Sequence, residues 1–197
     1  MKTKQYKEKY EKKLKKYTHP VRRIIDVKWI AQITILAFFI AIFFSGISDY
    51  LVREVNIILG IIIIIFFIVL GVIFDMVGIS VTSAKQAPFN TMASKKIKGS
   101  KTAIKLLQNA EKVSAFCNDV IGDICNVITG AAGVVIATTI SGHYNIDLLL
   151  TVLIINSVIA ATTIGGKASG KAYAINKSEI IVYKVAKMCN VFVKKRG

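Results

Sequence analysis

The sequence predicts an all-α fold, a polytopic membrane helix bundle of four transmembrane helices with juxtamembrane amphipathic helices and both termini in the cytoplasm. Three observations carry that prediction. The 197-residue chain is 54% apolar with a mean hydropathy of +0.57. Four stretches of spanning length carry no formal charge, and 26 of the 27 Lys and Arg residues gather in three segments outside them. A net charge of +16 would by itself suggest nucleic acid, so the placement of the charges decides. No nucleic-acid partner is expected; the predicted partner is the lipid bilayer.

The charge-free stretches are Trp29–Ser48 (20 residues), Val55–Phe74 (20), Ile124–Ile146 (23) and Leu148–Gly166 (19). A helix needs about 20 apolar residues to cross a hydrocarbon core of ~30 Å. The run Ile57–Phe67 shows no amphipathic period, which does not suit a surface helix. Allowing for helix ends, the spans are expected at about 29–48, 55–75, 120–142 and 148–166 within a single membrane domain over 29–197.

The basic residues then set the orientation. Residues 1–28 hold 11 Lys and Arg, residues 82–113 hold 7 and residues 167–197 hold 8. With four spans these segments share one side, and the positive-inside rule makes it the cytoplasm. The protein is expected in the cell (plasma) membrane, multi-pass, with short outer loops at Asp49–Glu54 and Gly142–Asp147. The first span lacks a small-residue cleavage site and reads as a retained anchor. The arm before it, 1–28, reads as a solvated basic tail near anionic head groups.

Cytoplasmic helices are expected over about 85–112 and 178–194. Pro88 suits a first helical position, and Gly99-Ser100 marks a break before a helix from Lys101 to Lys112. Phe89, Met92, Ile104 and Leu107 fall opposite the lysines, as in interfacial helices. Ser178 is a candidate cap for a last helix whose Ile181, Val185, Met188 and Phe192 make an apolar stripe. Cys117, Cys125 and Cys189 lack paired short spacings and read as small buried apolar residues.

Ionisable residues near the spans need a reason, since an acid at a span centre costs about 2.5–3.5 kcal/mol. Asp75 ends the second charge-free stretch, and Asp119 and Asp123 precede the third. With Asn126, Gly130 and Gly133 these two fall on one helix face, suited to close packing against neighbouring helices with polar groups turned inward. Lys167 ends the fourth stretch on the same face as Asn156, Ala160 and Thr163. Carboxylate and amide oxygens suit a hard cation such as Mg²⁺. The alternative places them at helix ends in interfacial water, Asp119 and Asp123 near a favourable helix N-terminus.

Enzyme chemistry is not expected. The Asp119-x-x-x-Asp123 pair matches the end of a phosphotransferase motif whose upstream positions are here Lys101 and Thr102. His19 and His143 fall on opposite sides of the membrane in this topology. No glycine loop suited to phosphate precedes a helix.

These residues resemble the transmembrane domain of the cyclin M/CorC (CorB-like) magnesium-transport family. The family's motifs run F-S-G-S-E-T-A, then a basic juxtamembrane helix pair, I-G-N-x-x-x-N followed by G-A, and G-E-x-x-P-K followed by N-P-E. This chain reads Phe74-Asp75-Met76-Val77-Gly78-Ile79-Ser80, then Ile121-Gly122-Asp123-Ile124-Cys125-Asn126 with Gly130-Ala131, then Gly166-Lys167-Ala168-Ser169-Gly170-Lys171 with Asn176-Lys177-Ser178-Glu179. The resemblance covers about two-thirds of the chain and implies a homodimer handling Mg²⁺, expected to lack the family's cytosolic CBS domains; a separate regulatory partner is a further expectation. It implies a metal site at Asp75, Asp123 and Asn126. The family's glutamate position is Lys167, its proline is Gly170, and Gly122, Gly166 and Lys171 are kept. A lysine at an ion-liganding position opens a second reading: a non-transporting structural or regulatory protein in which the ammonium replaces the ion, paired with Asp123 or Asp75.

Overall fold

The computed structural model describes residues 27–53 and 57–194, and all of its regular structure there is helical. Of the basic arm expected over 1–28, only Val27 and Lys28 fall among the described residues, and residues 54–56, where the expected first outer loop meets the expected second span, fall outside them. The chain divides into two compact units, Met1–Leu36 and Ala37–Gly197. The division falls within α1 (Val27–Arg53), which carries the apolar stretch Lys28–Phe43.

Among the described residues, three helices are long and apolar enough to cross a membrane: α2 (Ile57–Ser83), the run Ala110–Tyr144, and α7 (Leu148–Asn176). The run contains α5 (Ala110–Ala115), a π-helical turn (Phe116–Ile121) and α6 (Gly122–Tyr144). Between α2 and this run lie α3 (Gln86–Ser94) and α4 (Ser100–Gln108); α8 (Ser178–Lys194) ends the described chain.

The helices overrun the charge-free stretches. α2 is 27 residues long, about 40 Å at 1.5 Å per residue, and passes Asp75 to reach Ser83. α7 likewise passes Lys167 to reach Asn176. Backbone hydrogen bonding continues because the residues beyond each charge are themselves packed: Val81 and Ala174 are buried, and the Ser80 hydroxyl donates to the Ala174 carbonyl at 3.3 Å. The second cytoplasmic helix, expected to reach Lys112, stops at Gln108, and Ala110–Ala115 belong to the membrane-length run. α3 begins at Gln86, which places Pro88 in the first turn rather than at its first position. The turn tolerates this because its N–H groups lack intrahelical acceptors.

Glycines set how closely the bundle packs. Gly60, Gly71 and Gly78 are buried along one face of α2, and side chains of the facing run stand where their Cβ atoms would be. Ile136 meets Gly60 (3.1 Å from an ideal Cβ), Cys125 meets Gly71 (3.3 Å), and Asn118 meets Gly78 closer than any Cβ allows. Partner numbers fall as α2 numbers rise, so the run lies antiparallel to α2. α7 returns alongside α2, with Gly166 against Val72 and Gly170 against Val72 and Met76. The link from α6 to α7 is tight. Asn145 turns the chain with φ +51° and the Asp147 carboxylate caps α7 by accepting the Leu150 N–H at 2.9 Å.

Two cores follow. Ile64, Ala132 and Ile136 fill one end of the bundle. Beside the other end, Val81, Phe89, Ala103, Val182 and Ala186 tie α3, α4 and α8 to α2, with Met92, Ile104 and Leu107 packed around them. The face of α8 that is buried is Ser178, Val182 and Ala186. Met188, of the expected apolar stripe, is 64% exposed, and the Phe192 side chain lies outside the described residues. Small residues let α8 approach α4 closely: an ideal Cβ on Gly99 would lie 3.4 Å from the Lys187 Cα.

Candidate functional site

Two of the polar groups inside the bundle, Asn118 and Lys167, lie at the π-helical turn. A π turn inserts a residue and reorients the side chains around it. Here the Gly122 N–H closes on the Cys117 carbonyl. Asn118, on the turn, is half-buried over Gly78 of α2. Its Nδ2 donates to the Ser114 hydroxyl at 3.3 Å, while its Oδ1 is buried with no hydrogen-bond partner. An orphaned buried amide oxygen costs about 1–3 kcal/mol, so it is a feature to be explained. The Asn156 Oδ1 of α7 is the other such atom among the described residues, lying 2.6 Å from the position of a Cβ on Gly133.

Lys167 enters the same region from α7. Its Nζ lies 3.6 Å from the position a Cβ on Gly122 would take, and the Cys117 carbonyl oxygen lies 3.7 Å from that point. A Cβ at 122 would make only ordinary contact with either atom, so the ammonium lies beside the π turn without requiring glycine there. Lys167 also acts electrostatically on Cys125. Asn156, Thr163 and Lys167 face inward along α7, whereas Ala160 is exposed.

The residues expected to form a metal site do not all gather there. Asp75 is half-buried on α2, one turn before Gly78, and makes no hydrogen bond or ion pair with a described residue. Asp123 and Asn126 are exposed, as is Asp119. The polar face expected to turn inward as a whole is split: Gly133 is buried against α7, and the two carboxylates and the amide point outward. The reason lies in the sector of α6 that its neighbours cover. It is centred on Cys125, Ile128, Ala132 and Ile136, and Asp123 and Asn126 lie on the far side of it. The suggested ion pair of Lys167 with Asp123 or Asp75 is not formed as a direct contact among the described residues. Of the motif residues, Gly122 lies alongside Lys167, Gly166 and Gly170 pack on α2, and Lys171 is exposed.

Among the described residues no three His, Cys, Asp or Glu side chains cluster as a metal site. A cation held here would take amide and backbone oxygens with at most the Asp75 carboxylate, a donor set that fits a hard ion better than a soft one. Asn118 escaped the sequence reading because attention to charge favoured its neighbour Asp119. The available signal was its position four residues before Gly122.

Among the described residues, three membrane-length helices that pack together and enclose polar side chains define a polytopic membrane protein. Over residues 62–194 the chain matches the cyclin M transmembrane N-terminal domain, and it belongs to that family, whose proteins are associated with divalent-cation transport. No curated protein and no solved structure matches it significantly.

Proposed function

We propose that the chain is an inner-membrane protein that moves Mg²⁺, working as a homodimer in the cell membrane. The observation that supports this most is the buried, partnerless Asn118 Oδ1 between α2 and the π turn. A desolvated cation supplies what that oxygen lacks, and hard ions favour amide, carbonyl and carboxylate ligands. Asp75 stands one turn away on the adjoining helix as the available carboxylate. In this reading α1 is a fourth span over Trp29–Ser48, and the basic segments hold both termini in the cytoplasm. Dimerisation gives the exposed Asp119, Asp123 and Asn126 a protein neighbour in place of lipid, which relieves a cost that rises toward the membrane centre. The chain performs no catalysis.

Lys167 favours a second reading. Its side chain brings an ammonium beside Gly122 in the polar end of the bundle, and a bound ion there would be repelled. The protein would then be a structural or regulatory relative that carries no ion. Mg²⁺ flux into proteoliposomes holding the full chain separates the two. Transport by the wild type that falls at least about tenfold in Asn118→Ala supports the first. A silent wild type with flux gained in Lys167→Glu supports the second.

A further inference from the structure

A second polar site lies outside the bundle, where the α3–α4 turn meets α8. A cavity of about 390 Å³ is walled there by Lys96, Lys98 and Lys101, with Ser100, Thr102 and Asn190. No carboxylate lines it. The turn is built to hold its shape. Lys96 sits at φ +55° and Gly99 at φ +89°, the close approach of Gly99 to Lys187 seats the turn on α8, and the buried Ser100 hydroxyl donates to the Ile97 carbonyl at 2.7 Å. Three lysines, two hydroxyl residues and an amide residue thus line one concave surface. Like charges so placed repel one another, and an anion with several oxygens relieves that repulsion while accepting from each donor.

We propose that this cavity binds the phosphate of an anionic lipid head group. Phosphate chemistry follows from the lining, which offers three lysines, Thr102 and Asn190 as donors and no carboxylate. The lipid source follows from position. The cavity belongs to the layer at the end of the bundle where α2 and α7 leave the membrane-length region, and Ile97, in its wall, is 38% exposed with Met188 also exposed on α8. Basic and apolar side chains side by side are what an interfacial surface presents. The inference rests on the membrane reading of the helices and is independent of whether the protein moves an ion.

The test is lipid retention by the full chain in detergent, followed by native mass spectrometry with phosphatidic acid, phosphatidylcholine and inorganic phosphate as separate probes. Retention of phosphatidic acid over phosphatidylcholine is expected, reduced about tenfold or more when Lys96, Lys98 and Lys101 are all changed to Ala. A triple change at Lys105, Lys171 and Lys184, away from the cavity, is expected to leave it within about twofold, since charge alone acts diffusely. Thr102→Glu, which adds one carboxylate to the wall, is expected to act like the first triple variant and guards against loss of fold as the cause. Equal losses in the two triple variants, or no preference for phosphatidic acid, overturn the proposal. Inorganic phosphate that binds as tightly as the lipid overturns the lipid assignment.

Discussion

The two ends of the bundle are built from the same device and used differently. At one end Gly60 of α2 receives Ile136, and Ile64 and Ala132 complete an apolar core, with the Asn156 amide packed beside it against Gly133. At the other end Gly78 receives Asn118, and the Lys167 ammonium lies alongside Gly122. In both, a missing side chain lets a neighbour enter, but at the second end the neighbour is polar. Close approach of helices is what holds a membrane bundle together, because lipid tails offer apolar groups no less than the protein does. The apolar end uses that approach for packing alone. The polar end uses it to keep an amide oxygen and an ammonium away from lipid.

The largest effect is expected where the space is smallest. Gly78→Val places a branched side chain where the Asn118 amide already lies. Overpacking of this kind costs about 1–3 kcal/mol, and the displaced amide must find a new partner, so the upper end of that range is expected. Thermal unfolding in detergent measures it. A variant as stable as the wild type shows that Asn118 moves aside freely, and the contrast between the two ends then loses its basis.

At the apolar end, Ile136→Ala opens a void in a site that is 5% exposed. In water such a change costs about 2–5 kcal/mol. In lipid the transfer part of that cost is largely absent and the lost dispersion contacts remain, so about 1–2 kcal/mol is expected in the same unfolding assay. Mg²⁺ flux, where present, is expected to stay within about twofold because no polar group is touched. A flux lost without a matching loss of stability sinks the division of labour between the ends.

Much of the apolar end was legible in the sequence. Charge-free stretches of spanning length identify α2 and α7, and the run of isoleucines from Ile61 to Ile65 leaves no other reading. The polar end was legible only in part. Asp75, Asp119, Asp123 and Lys167 stand out by charge, yet a census of charges cannot say which side of a helix its neighbours cover. Asp123 and Asn126 share a face with Gly133 by spacing, but α2 and α7 cover only one edge of that face. The π turn shifts the register of side chains before Gly122, and nothing in a 3.6-residue period anticipates it. Nor does the last charge-free residue mark where a helix ends, because Val81 and Ala174 extend the packing beyond it.

Asn118→Ala tests the polar end more finely. Removing an acceptor that has no partner is expected to change stability by less than about 1 kcal/mol, since the lost bond to Ser114 at 3.3 Å is weak and the desolvation cost of the amide disappears. Transport and stability should therefore separate at this residue, the opposite of what Ile136→Ala shows. A loss above about 2 kcal/mol means the amide is held by a group that also stabilises the fold, and its role is then structural.

The smallest expected effect lies outside both ends and is one of pH. Glu179, in the first turn of α8, has its carboxyl held below the ordinary value of 4.5, first by the backbone N–H of Glu179 itself, then by the Ser178 hydroxyl at 3.2 Å and by the backbone and ammonium of Lys85. Slight desolvation works against these without reversing them. A depressed folded-state value means that the ionised carboxylate stabilises the fold. That contribution is complete above the unfolded value and is lost as pH falls through the folded one. Glu179→Gln is therefore expected to lower stability slightly near neutral pH, by a margin that closes in acid, as unfolding curves at several pH values would show. Lys85 precedes α3, so a margin that also shrinks in Lys85→Met places the effect in the joint between α3 and α8, which is the joint that positions the basic turn. An unchanged margin in that background assigns it instead to the helix start alone, as expected for a carboxylate at the positive end of a helix.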